Sequence, residues 1–218
     1  GAMHDLGTPL SVLGTHLDLL IQNPNREDIG KRLETMMSQV QHCNDLVRTT
    51  MNFLRHSSTE TAPFSLNGAA KMCIEVAKPL MLSQNVALAA DFSLQLPACE
   101  GDLVHVRQAI LNLIYNACQA MEGQEEPRQL RIETYCEGGR VCLAVQDSGP
   151  GVPDENRRHI FDALFTTKGS KGTGLGLAVV RNVMERHGGR VFLEDTTGRG
   201  ARFVLAFPIA EAHEIESM

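Results

Sequence analysis

Leu6, Leu10, Leu13, Leu17 and Leu20 recur at spacings of four and three residues, which lays one apolar seam along a helix. Asn23 to Asp28 is polar, contains Pro24 and reads as a tight turn. A second seam follows at Leu33, Met36, Val40, Cys43, Val47, Thr50 and Leu54. Two antiparallel helices with one stripe each bury little on their own. The pattern therefore predicts a homodimer, in which two hairpins close a four-helix bundle. Arg55 to Pro63 is polar and unpatterned and is expected to be a linker.

The period then changes. Phe64 to Leu66 is predicted as a short strand, and Asn67 as the cap of a helix running to about Leu82. Val86 to Phe92 reads as a strand. Asp102 is the expected N-cap of a long helix, Leu103 to Met121, with Val106, Ile110, Leu113, Ile114 and Ala117 at helical spacing. Leu130–Tyr135 and Arg140–Gln146 alternate apolar and polar residues around Glu137-Gly138-Gly139, which predicts a hairpin. A helix from Leu175 to His187, stopped by Gly188 and Gly189, leads to a second hairpin of Val191–Glu194 and Ala201–Phe207. The predicted class is α+β. A helical hairpin over 4–57 is followed by a two-layer α/β sandwich over 62–210, with about five strands and helices on one face.

A net charge of −6 argues against nucleic-acid binding, and no apolar run of about 18 residues is present, so no membrane contact is expected of this fragment. Six cysteines have no Cys-x-x-Cys pair, and Cys73, Cys118, Cys136 and Cys142 sit among apolar residues. Buried thiols in a reducing, cytoplasmic setting are predicted.

Five stretches are hard to explain as scaffold. Lys168 to Val180 is a glycine-rich loop running into a helix. Gly172, Gly174 and Gly176 let the backbone approach a ligand, the helix start adds unpaired N–H donors, and Lys168 and Lys171 add positive charge: a seat for phosphate. Asn112 and Asn116 share one face of the long helix, where amide oxygens suit Mg²⁺ bearing phosphates or a plain helix contact. Asp147-Ser-Gly-Pro-Gly151 ends a strand on a carboxylate that can accept from an exocyclic amine, with Gly149 and Gly151 admitting a flat ring; it is equally compatible with a plain turn. Phe161 and Phe165 stand in a long unpatterned stretch, 152–173, of the kind used for lids. Finally, His4 lies opposite the leucine seam with Thr8 one turn on and Asp5 alongside, in a segment containing Gly7 and Pro9, both poor helix residues.

In this order, the motifs resemble the catalytic core of a bacterial two-component sensor histidine kinase. His4-Asp-Leu-Gly-Thr-Pro-Leu10 is similar to its phosphoacceptor box and Asn112–Ala117 to its asparagine box. Asp147–Gly151 and Gly172–Leu177 match its glycine boxes, and Ile160–Phe165 its phenylalanine box. The likeness covers nearly all of 4–208, with Gly7 departing from the basic residue common there. It implies the ATP-binding sandwich of the histidine-kinase type, with ATP and Mg²⁺ as cofactors and the receiver domain of a response regulator as partner. His4 is implied as the phosphoacceptor, Asp5 as its base and Thr8 as the residue orienting water for phosphatase action. Asn116, supported by Asn112, is implied to hold the metal, and Asp147 with Gly149 and Gly151 to receive adenine. Phe161, Phe165, Thr167, Lys168, Lys171, Gly172, Thr173, Gly174, Leu175 and Gly176 are implied around the nucleotide. Two other classes are discriminated by products: an ATPase of the same superfamily releases free phosphate without phosphohistidine, and a non-catalytic dimerisation module binds no ATP.

Overall fold

The structure, a computed structural model, describes residues 2–23, 28–37, 39–40, 43, 61–125, 127–168, 174–196 and 199–210, with the side chains of 2–6 and 8 excluded. The chain divides into two compact units: Gly1–Ser57 with Asp162–Leu175, and Ser58–Phe161 with Gly176–Met218.

In the first unit α1 spans Ala2–Gln22, and residues 29–37 form a second helix, α2. Arg32 joins them: its guanidinium pairs with Asp28 at 2.8 Å and reaches His16 Nδ1 at 3.5 Å. The single leucine seam of the sequence splits. Leu13 and Leu20 are half-buried, while Leu10, Leu17 and Ile21 stay exposed. On α2, Ile29, Leu33 and Met37 are exposed, and so is Val40, which is also helical. Pro9 lies inside α1 and is buried. The expected seam residues Val47, Thr50 and Leu54 and most of the linker lie outside the described residues.

The second unit runs β1 (Ala62–Phe64), α3 (Leu66–Ser83), β2 (Val86–Phe92), β3 (Cys99–Gly101), α4 (Leu103–Met121), β4 (Arg128–Glu137), β5 (Arg140–Asp147), α5 (Gly176–Arg186), β6 (Arg190–Glu194) and β7 (Arg202–Pro208). Five strands form one sheet in the order β2-β4-β5-β7-β6, and β1 pairs with β3 in a two-stranded ribbon. The β2–β4 pair is parallel and the others are antiparallel. α3, α4 and α5 pack side by side, with α4 against β4 and β5.

Register explains the core. Leu130 faces Asp147, Ile132 faces Val145 and Thr134 faces Leu143, while Leu143 and Val145 face Leu205 and Phe203 on β7. All of these point to the helical layer and are buried, as are Ile110, Leu113 and Ile114 from α4. Each fully buried large apolar side chain stabilises the fold by about 1.5–3 kcal/mol. The opposite face carries a smaller cluster, Cys142, Ala144, Val204 and Ala206, with Tyr135 packed on it. Arg202 caps that cluster, bonding Glu133 and Glu194 with its guanidinium 6.0 Å from the Tyr135 ring centre.

Several local expectations are corrected. The first strand is Ala62–Phe64, not Phe64–Leu66, because Ser65 rather than Asn67 caps α3, its side chain accepting from the Gly68 N–H at 3.2 Å. Asn67 instead enters a polar network, donating to Ser93 O at 2.8 Å and accepting from Thr134 Oγ1 at 2.7 Å. Cys136, grouped with the buried thiols, is exposed at the end of β4; Cys99, which was not, is buried. Burial first, and the neighbouring Cys136 and Cys142 second, push the Cys99 thiol up to about 12. β3 was not predicted at all. Among the described residues no helix is long and apolar enough to cross a membrane.

Candidate functional site

Asp147 is the last residue of β5 and is 4% exposed. A buried carboxylate needs partners, and the backbone supplies them. Asp147 Oδ1 accepts from the Gly149 N–H at 2.8 Å and from the Ala201 N–H at 3.3 Å. The Asp147 N–H in turn donates to Ala201 O at 3.0 Å. One oxygen is thereby fixed by two N–H groups, which sets the orientation of the whole carboxylate.

The glycines around it are there because nothing larger fits. A Cβ on Gly149 would lie 2.8 Å from Asp147 Oδ1 and 3.2 Å from Ala120 O at the end of α4. Gly151 has φ +80° and would place a Cβ 3.0 Å from Gly200 O. Gly200, at φ +100°, would drive one into the Asp147 carbonyl. Gly200 and Ala201 back the Asp147 turn, and neither is among the residues expected from the sequence. In the sequence the Gly-Arg-Gly run before β7 reads as a hairpin loop, and no motif ties it to Asp147.

Asn112 and Asn116 lie on one face of α4, both half-buried. Asn112 Nδ2 donates to Gly176 O at 3.2 Å, which fixes which end of that amide is oxygen. Gly176 is the first residue of α5, so its N–H is among the donors a helix start leaves unpaired. α5 is held by buried Val179, Val180, Val183 and Met184. The asparagine face, the start of α5 and the Asp147 turn thus all border α4: Asn112 through Gly176, and Gly149 through the α4 terminus. Neutral amide oxygens are suited to a hard dication that keeps water and phosphate as its other ligands, so the donor types fit Mg²⁺. The space a Cβ would take at Gly149 and Gly151 is filled by Asp147, Ala120 and Gly200, so these glycines let the chain close around the carboxylate rather than open room for a flat ring.

Phe161 closes the turn 154–161 and meets Phe203 edge-on, with centroids 6.2 Å apart. Phe165 belongs to the other unit, in the segment Asp162–Leu175, as do Thr167 and Lys168. That segment has its own bonds. The Leu164 N–H donates to Gly174 O at 3.0 Å, Phe165 N–H to Asp162 O at 3.2 Å, and Lys168 N–H to Thr166 Oγ1 at 3.1 Å. Leu164 and Gly174 both take positive φ, 69° and 64°. For leucine that conformation costs about 1–2 kcal/mol, a strain of the sort found where a loop is shaped for use. Leu175 is half-buried. Lys171, Gly172 and Thr173 lie outside the described residues. His4, Asp5 and Thr8 fall on α1, and their side chains lie outside the described residues.

Residues 101–211, about half of the chain, match the family described as histidine kinase-, DNA gyrase B-, and HSP90-like ATPase. The sensor histidine kinase TmoS of Ectopseudomonas mendocina is 27% identical over 95% of this chain, which spans 22% of that relative's length. Full-length ShkA, solved in complex with AMPPNP, is 26% identical with a TM-score of 0.67, over 96% of this chain and 44% of ShkA. Histidine kinase ThkA, solved with the response regulator protein TrrA, has the same fold at 22% identity and a TM-score of 0.76, over 95% of this chain and 60% of ThkA.

Proposed function

Because the chain belongs to the histidine kinase-, DNA gyrase B-, and HSP90-like ATPase family and is the catalytic core of a two-component histidine kinase, we propose that it transfers the γ-phosphoryl group of ATP to His4 and from there to an aspartate of a response regulator. The observation that carries this reading is the buried Asp147, oriented by two backbone N–H groups beside a turn with no room for side chains. Such a carboxylate suits the exocyclic amine of adenine, since a charged acceptor of fixed direction discriminates a donor from an acceptor at the ring edge. The analogue carried by ShkA supports nucleotide as the ligand.

In this reading Asn116, with Asn112 beside it, holds Mg²⁺, which neutralises phosphate charge when bound. The start of α5 at Gly176, with Gly174 and Leu175 before it, offers N–H groups to the phosphates, and Thr167, Lys168, Lys171, Gly172 and Thr173 belong to the same approach. Phe161 and Phe165 shape the segment between the glycine boxes. On α1, the His4 imidazole attacks γ-phosphorus as the bond to the leaving ADP oxygen breaks, and Asp5 accepts the proton from the other ring nitrogen. Phosphoryl transfer of this kind depends on positioning and charge more than on covalent catalysis.

The exposed Leu10, Leu17, Ile21, Ile29, Leu33 and Met37 support a homodimer of hairpins, which would cover them. The ThkA–TrrA complex supports a response regulator as partner. Thr8, one turn from His4, is proposed to orient the water that removes phosphate from that regulator. Incubation with γ-labelled ATP and Mg²⁺ tests the central step: acid-labile label on the native chain and none on His4→Gln is expected, and equal labelling refutes it. Equal decay of the phospho-regulator with native protein and Thr8→Ala removes Thr8 from its role.

A further inference from the structure

The turn 154–161 and the β6–β7 connection carry an ion pair that the nucleotide reading leaves unused. Arg157 Nη1 lies 2.6 Å from Asp195 Oδ1 and 3.5 Å from Asp154 Oδ1. Asp195 directly follows β6. Its neighbour Thr196 donates through Oγ1 to Gly200 O at 3.3 Å. Gly200 is the residue whose backbone stands against the Asp147 carbonyl and Gly151, and Ala201 supplies one of the N–H groups to Asp147 Oδ1. Two runs of chain therefore leave Asp147 and meet again. One goes through Gly149, Gly151 and Pro153 to Arg157, the other through Ala201, Gly200 and Thr196 to Asp195. The Arg157–Asp195 pair closes this ring.

We propose that Arg157 and Asp195 are positioning residues for nucleotide binding: their ion pair clamps the glycine turn to the β6–β7 connection and so keeps Asp147 in its binding orientation. This rests on the nucleotide reading of Asp147. Neither side chain touches the ligand. The pair acts by restricting the conformations of the two connections before the ligand arrives, which is how preorganisation raises affinity.

The size of the effect is bounded by exposure. Arg157 is 32% and Asp195 88% exposed, and open pairs of this kind change an equilibrium by a few-fold at most. MgADP titrated by calorimetry into the 218-residue chain and into Arg157→Ala, Asp195→Ala, the double variant and Arg157→Lys tests the clamp. The expected result is an affinity loss of about threefold in each alanine variant, no further loss in the double variant, and near-native affinity in Arg157→Lys. The thermal midpoint without nucleotide stays unchanged, and the gap closes in about 1 M salt, where the screening length falls to about 3 Å. Additive losses in the double variant, a threefold gap that survives salt, or a fall in thermal midpoint matching the affinity loss overturns the clamp. Binding by the native chain with unchanged affinity in the variants overturns the clamp alone; no binding by the native chain overturns the nucleotide reading with it.

Discussion

Replacing Asp147 separates binding from folding, because its two carboxylate oxygens face different demands. Oδ1 satisfies the buried N–H groups of Gly149 and Ala201. Asparagine keeps one oxygen for those two donors and converts the other into an N–H donor. Asp147→Asn should therefore cost about 1 kcal/mol of stability or less, the range for a rearranged but retained hydrogen bond. At about 2–4 °C per kcal/mol for a domain of this size, the thermal midpoint falls by a few degrees. In the proposed reading the same change also removes a charged acceptor for the adenine amine and sets donor against donor. Losing a hydrogen bond to a charged group costs about 1.5–3 kcal/mol, or roughly 10- to 150-fold in affinity. Asp147→Ala differs: both N–H groups lose their side-chain acceptor in a buried place, at about 1–3 kcal/mol each, and the midpoint should fall by about 4–24 °C. Calorimetric titration with MgADP and thermal unfolding of the two variants side by side read both effects. If Asp147→Asn binds MgADP within twofold of native, or unfolds as early as Asp147→Ala, the assignment of the two oxygens is wrong.

Three further outcomes follow from the geometry. Gly200→Ala should lower the thermal midpoint by more than 5 °C, an order-of-magnitude expectation from a positive φ and a forced clash with the Asp147 carbonyl, measured by calorimetric unfolding. Under native conditions near pH 8 a thiol reagent should modify Cys136 first, while Cys73 and Cys99, pushed up by burial to about 11 and about 12, react only after unfolding; mass mapping of the labelled peptides decides it. Burial alone would raise Glu133, but the hydrogen bond and charge of Arg202, joined by Arg131, outweigh it and hold its carboxyl below the ordinary value of 4.5. The resulting stabilisation is complete above that ordinary value and is lost as pH falls through the lowered one. Arg202→Met should therefore be less stable than native at pH 7, and the difference should shrink as acid unfolding curves are followed below about pH 4.5.

The parts of this fold legible in the sequence are those fixed by local chemistry. α4 runs from Leu103 to Met121 as read, since Asp102 caps it with bonds to the Val104 and His105 N–H groups and one apolar stripe fills its buried face. The β4–β5 hairpin turns at Gly138 and Gly139, both at positive φ, as a two-residue turn of that kind requires. What stayed hidden depends on distant chain. β3 is three residues long and exists because Cys99 and Gly101 find Phe64 and Ala62 across β1. Ser65 and Asn67 are equally good caps by type, and the choice falls to Ser65 because Thr134 and Ser93 claim Asn67. At the site, Asp147, Gly149 and Gly151 could be picked out from their own motif. Gly200 and Ala201, some fifty residues on, could not, because their role exists only once β7 lies beside β5.

The placement of β2 has a consequence for how this unit is assembled. It lies at the rim of the sheet, bonded along one side only, and its partner β4 is reached through a crossover with Val86 opposite Arg128. Closing so wide a chain loop is entropically slow and returns one ladder, whereas β6 and β7 join through a short connection. The rim strand should thus be the last to zip during refolding and the first to trade its amide protons for deuterium, ahead of the doubly bonded β5.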